Sequence, residues 1–164
     1  MGSPYNPLDN EIWVELNDTG NILPDLTLCD NVLLYPNSKW LILKYNHVIT
    51  EGIAPISCYA KQVVYPNSIT SLKEFFINFG ENWLTNTVWL GKNIQSIGNY
   101  GILTNVEFLY IATETPCSDN SFLNWLSQLQ KIYVPLNSVG SYKKVWNNKA
   151  SIIEGYDFTG KYEN

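Results

Sequence analysis

Charge is scarce in this chain, and histidine is scarcer. Asp, Glu, Lys and Arg make up 15% of its 164 residues, against roughly a quarter in an average globular protein. The ten basic residues are scattered, Lys143-Lys144 is their only adjacent pair, and the net charge is −5. Phosphate backbones are gripped by clustered Lys and Arg, so nucleic acid is not an expected partner. The one histidine, His47, sits in Lys44-Tyr45-Asn46-His47-Val48 with no nucleophile signature such as G-x-S-x-G in the chain, and reads as a structural or surface residue. Three cysteines, Cys29, Cys58 and Cys117, lie far apart with no C-x-x-C. They cannot furnish a zinc site of ordinary spacing and read as small buried hydrophobes, with one disulfide plus a free thiol left open.

Other absences narrow the field further. Gly80, Gly91, Gly98 and Gly101 do not compose a phosphate-binding loop. Glu11, Glu15, Glu51, Glu74, Glu81, Glu107 and Glu114 all sit in ordinary surface contexts, and a paired-carboxylate hydrolase would need two acids to meet in space, which the sequence leaves open. The start Met1-Gly2-Ser3-Pro4 lacks the basic and apolar regions of a signal peptide. No apolar run approaches the roughly 18 residues of a membrane span. The expectation is a chain without enzyme activity, metal or cofactor, not inserted in a membrane. Export would need a trimmed signal or delivery within a virion.

What the chain has is apolar bulk and repetition. Hydrophobic residues reach 45% and aromatics 14%, enough for one folded domain spanning residues 1–164. Tyr35-Pro36-Asn37-Ser38 returns as Tyr65-Pro66-Asn67-Ser68, and Val134-Pro135-Leu136-Asn137-Ser138 is a third variant. Val88-Trp89-Leu90-Gly91-Lys92-Asn93-Ile94 matches Val63-Val64-Tyr65-Pro66-Asn67-Ser68-Ile69 almost position for position. Counted from their first residues, the apolar runs at 63, 88, 109 and 132 are spaced by 25, 21 and 23 residues. A leucine-rich repeat unit, one strand plus a return, takes roughly 20–29 residues. Four parallel strands at 63–65, 88–90, 109–111 and 132–134 are therefore predicted to stack side by side.

The returns read as helical. Leu72, Phe75, Phe76 and Phe79 fall on one face, as do Phe122, Trp125, Leu126 and Leu129, and Ser138 is placed to cap a helix carrying Tyr142, Val145 and Trp146. Leu72, Ile97 and Val139 are predicted to take equivalent buried positions. Glu11-Ile12-Trp13-Val14-Glu15-Leu16 alternates as a half-buried strand does, and Asn17-Asp18-Thr19-Gly20-Asn21 has the chemistry of a hairpin turn. Residues 21–60 fit the repeat poorly and form a divergent first unit.

The closing stretch Lys131-Ile132-Tyr133-Val134-Pro135-Leu136-Asn137-Ser138-Val139, with Tyr142-Lys143, Trp146 and Ile152-Ile153-Glu154-Gly155-Tyr156-Asp157-Phe158, resembles the C-terminal cap of BspA-like leucine-rich repeat proteins. Pro66-Asn67-Ser68-Ile69-Thr70-Ser71-Leu72 resembles their repeat core, and Asn10-Glu11-Ile12-Trp13 their N-terminal hairpin. Such proteins are common on Bacteroidetes surfaces and occur in phages of those hosts. The resemblance implies an α/β-type repeat solenoid with parallel strands and short helical returns, an N-terminal hairpin over 1–20, repeats over 62–130 and a cap over 131–158. It implies binding or adhesion on a bacterial or virion surface. The chain departs from the family in having about four diverged units and in presenting aromatics where Thr or Ser usually faces outward.

Period-two alternation turns the middle residue of each strand triplet to the open sheet face. Those residues are Val64, Trp89, Tyr110 and Tyr133, a contiguous column that forms the expected binding site. The expected contact is a protein partner or another copy of the chain. A structural virion role and a carbohydrate-binding module are the alternatives.

Overall fold

The computed structural model describes residues 8–16, 31–34, 40–52, 60–72, 85–98 and 105–162. It shows an α/β protein dominated by one mixed sheet of eight strands, with a second, three-stranded sheet alongside. The strands are β1 (Glu11–Leu16), β2 (Asn31–Leu34), β3 (Trp40–Lys44), β4 (Glu51–Gly52), β5 (Ala60–Val64), β6 (Ser71–Leu72), β7 (Thr87–Leu90), β8 (Ser96–Ile97), β9 (Phe108–Ile111), β10 (Lys131–Pro135) and β11 (Ile153–Tyr156). The large sheet runs β11-β10-β9-β7-β5-β1-β3-β2, and the small one β4-β6-β8.

The four strands expected from the spacing are neighbours. β5, β7, β9 and β10 pair in parallel, and β11 adds a fifth parallel strand. Their alternation does what period two requires. Val63, Val88, Leu109 and Ile132, followed two residues later by Tyr65, Leu90, Ile111 and Val134, all enter the main core. In the small sheet Ser71 aligns with Ser96 and Leu72 with Ile97, the two serine hydroxyls bond at 2.7 Å, and both aliphatic side chains are buried.

The Pro/Gly-Asn turns explain the repeated motif. Lys92 N donates to Asn67 Oδ1 at 2.8 Å, and Asn93 Nδ2 donates to the Asn67 carbonyl at 2.9 Å. One turn is thereby bonded to the next, and the Asn side chain satisfies backbone groups that no sheet ladder reaches. At the far end α1 (Val139–Val145) packs over the core. Tyr142 donates its phenol to the Thr113 carbonyl, and Trp146 its indole to that of Cys117, each at 2.9 Å and buried.

Several expectations are corrected. No hairpin is confined to residues 1–20: β1 forms, but its two sides are taken by β3 and β5, both antiparallel. A strand has only two hydrogen-bonding sides, so no return strand from a turn at 17–21 can pair there; those residues themselves lie outside the described ones. The segment 21–60 is split, giving the antiparallel pair β2–β3 to the large sheet and β4 to the small one. Ser71 and Leu72 open no helix but form β6, and Phe75, Phe76 and Phe79 lie outside the described residues. Ser121–Trp125 is a short 3-10 turn, too tight to keep Trp125 on the buried stripe. Phe122 and Leu126 are buried while Trp125 is exposed. Val145 is likewise exposed, and Val139 is only partly buried at the start of α1. Ser138 precedes that helix but makes no capping bond with its side chain.

Candidate functional site

The outer face of the large sheet carries the predicted column, and register brings its members together. Trp13 faces Val64 across β1 and β5, Val64 faces Trp89, Trp89 faces Tyr110, and Tyr110 faces Tyr133. Parallel strands in register hold equivalent side chains about 4.8 Å apart, close to the stacking distance of two rings. Trp89 and Tyr110 stack with centroids 3.8 Å apart and planes 7° apart. Tyr110 and Tyr133 stack at 4.5 Å and 20°. At the β1 end Trp13 meets Trp40 edge-on at 6.3 Å.

The column is not uniformly open, which corrects the expectation. Val64 is fully buried and Trp89 is 3% exposed, whereas Tyr110 and Tyr133 are half-buried. The cover comes from the chain's other end. Tyr156 lies edge-to-face against Trp89, Tyr110 and Tyr133 at 5.7, 5.1 and 6.0 Å. Phe158 meets Trp89 at 6.2 Å, and Tyr162 joins the cluster around Val64. Truncating Trp89 would therefore report on stability rather than on contact with a partner.

Beside the column runs a polar relay that the column reading missed. The Trp89 indole N–H donates to Gln62 Oε1, and Gln62 Nε2 donates to Glu15 Oε2 at 3.0 Å. The Lys61 ammonium stands 3.8 Å from the other Glu15 oxygen. A primary amide has one acceptor and one donor end, so it can join an indole to a carboxylate and fix the indole's orientation. Period two places Gln62 on the same face as Val64, a signal legible in the sequence. These side chains, with Asn86, Thr87, Phe108, Tyr110 and Tyr133, line an open groove of 390 Å³. On β10 and β11 Lys131 pairs with Glu154, which raises the lysine pKa above its ordinary value.

His47 is exposed and makes an edge contact with Tyr45 at 6.2 Å. Glu11 is buried against Lys44 at 2.9 Å. Among the described residues no group of three or more His, Cys, Asp or Glu side chains gathers. Cys117 is free and buried, with a thiol that burial pushes up to about 11; Cys29 and Cys58 lie outside the described residues. Among the described residues no helix is long and apolar enough to cross a membrane. No protein-family model matches the chain, and no curated protein does.

Proposed function

We propose that this protein is a non-catalytic recognition module of leucine-rich-repeat type, engaging a protein partner through the open end of its outer sheet face. The observation that carries the reading is the Trp89–Tyr110–Tyr133 stack, rigid at its buried end and half-open at Tyr110 and Tyr133. Pre-ordered aromatics lose little freedom on binding, and residues of this kind dominate interface energetics. Support for the repeat reading comes from the in-register parallel strands, the recurring short strands of the small sheet, and the Asn-bridged turns. The surface setting, on a bacterial envelope or a virion, rests on the BspA-like resemblance alone.

A protein partner is favoured over a glycan by ring orientation. Sugars stack on an open aromatic face. Here one face of Tyr110 is taken by Trp89 and the other by Tyr133. At Tyr110 the column offers a ring edge, beside the amides of Gln62 and Asn86. Those groups suit the side chains and backbone of a polypeptide.

The test is Tyr133→Ala. Self-association would be followed by sedimentation, and partners by a photo-crosslinking residue placed at position 133. Loss of an anchor of about 2 kcal/mol should weaken association about 30-fold, leaving the denaturation midpoint nearly unchanged. Association that ignores the substitution, or crosslinks no richer than those from position 47, would sink the reading. A Tyr133-dependent response to oligosaccharides alone would move it to the glycan class.

A further inference from the structure

The segment after β11 is placed as a ligand would be. From Tyr156, beside β10, the chain crosses the outer face to Tyr162, whose backbone carbonyl accepts from Asn67 Nδ2 at 3.1 Å, beyond the end of β5. It thus passes over three strands, β10, β9 and β7, without joining the sheet ladder. Its grip is mainly aromatic: Phe158 meets Trp89 in a T-shaped contact and touches Tyr156 of β11 at 4.8 Å, and Tyr162 joins the cluster of Val64 and Trp89.

The far anchor is conformationally costly. Tyr162 has φ +60°, in the left-handed region that bulky L-residues avoid. Its phenol oxygen is buried and finds no hydrogen-bond partner among the described residues, a second cost of keeping the ring in place. Two bonds within the segment are local, from Thr159 N to the Asp157 carboxylate and from Lys161 N to the Phe158 carbonyl. They could survive detachment. Asn67 ties the strap to the turn after β5 through its side chain, and beneath it lie Val64 and Trp89, the buried half of the column.

We infer that residues 157–162 are an intramolecular ligand of the outer face, displaced when an extended peptide with aromatic residues four apart docks in their place. The inference rests on the recognition reading and names its partner class. Displacement would join Val64 and Trp89 to the open Tyr110–Tyr133 end, giving one continuous binding column. A resident occupant lowers apparent affinity by the fraction of molecules in which the site is free.

The probe is a fluorescein-labelled peptide of the chain's own sequence from 153 to 162, offered to the full-length protein. The variant Phe158→Ala/Tyr162→Ala should bind it at least tenfold more tightly than the unaltered chain does. A peptide with its three aromatics replaced by Ala should bind neither. Equal binding to both proteins, or to neither, overturns the inference. Should the double variant fail to fold, the unaltered chain decides. Saturating peptide should move the amide resonances of Gly160 and Lys161 to random-coil positions, and resonances that stay native overturn the inference. A negative result here leaves the recognition reading standing, because Tyr133→Ala probes a ring that packs against Tyr156 of β11, outside the displaced residues 157–162.

Discussion

Gly91 sits directly against Asn67 of the preceding turn. A Cβ on that glycine would stand 2.8 Å from both Asn67 Oδ1 and the Pro66 carbonyl, and 2.9 Å from the Asn67 Cα. Two of those three atoms are backbone and cannot swing aside. The glycine that replaces proline in this copy of the motif is there for proximity.

Gly91→Ala should accordingly destabilise the protein by about 1–3 kcal/mol, the range for overpacking in a fitted interior. Gly140 in α1 is the control, since an added Cβ there meets nothing within 4 Å. Gly140→Ala should be neutral or stabilising by up to about 1 kcal/mol through helix propensity. Urea midpoints of the two variants give the comparison. Equal shifts would show that the turn stack yields easily.

Leu72 and Ile97 are register partners, both essentially buried. Truncation of either to Ala should cost about 2–5 kcal/mol, while Val139→Ala, at a partly buried helix start, should cost clearly less. A loss below roughly 0.5 kcal/mol at Ile97 would mean that the small sheet does not pack as described.

Gln62→Leu removes both ends of the amide bridge. It leaves the Trp89 indole N–H buried without its acceptor, at a cost of about 1–3 kcal/mol. Gln62→Glu should restore the acceptor but set a second carboxylate beside Glu15. Its stability should therefore fall as pH rises through the carboxylate range, the opposite of ordinary acid destabilisation. Denaturation midpoints at pH 4 and pH 7 separate the two cases. A flat profile for the Glu variant would dissociate Gln62 from Glu15.

Burial holds the Tyr65, Tyr142 and Tyr162 phenols well above their ordinary pKa. It also raises the Cys117 thiol from 9.0 to about 11. For all four groups the folded state keeps its proton longer than the unfolded state does. Their contribution to stability is full below pH 9 and is lost as pH rises through about 11 and beyond. Tyrosinate absorbance should then show at least three of the 11 tyrosines ionising only with the loss of near-ultraviolet circular dichroism. All of them titrating smoothly within a folded protein would contradict the burial. Alkylation of Cys117 should be slow at neutral pH and rapid in urea.

Much of the parallel array was legible because its signals are local. Alternation in Val63-Val64-Tyr65 or Leu109-Tyr110-Ile111 needs only neighbouring residues, and Pro66-Asn67 against Gly91-Lys92 marks the turn. The pairing of β1 was not legible: Trp13 meets Val64 only after some fifty intervening residues fold, and antiparallel partners at that distance leave no pattern in either segment. The cover over Trp89 was hidden for a related reason. Tyr156-Asp157-Phe158 reads as the tail of a last strand, and nothing in its sequence says that it crosses back over the sheet. Gln62 could have been found, since the same period-two count that placed Val64 placed it too.

The parallel run of the large sheet ends at β5, and beyond it β1, β3 and β2 alternate in direction. Whatever docks on β5 must therefore be β1 or its equivalent, and the array cannot be lengthened there by one more like-directed unit. On the proposed repeat reading, growth would have to occur by splicing a unit between existing ones, with both ends kept. Each spliced unit would add one rung to the aromatic ladder and about 4.8 Å to the face. It would also carry Tyr156 and Phe158 one strand further from Val64, out of reach of the residues they now cover. The length of the array and the extent of the self-covered site are thus fixed together.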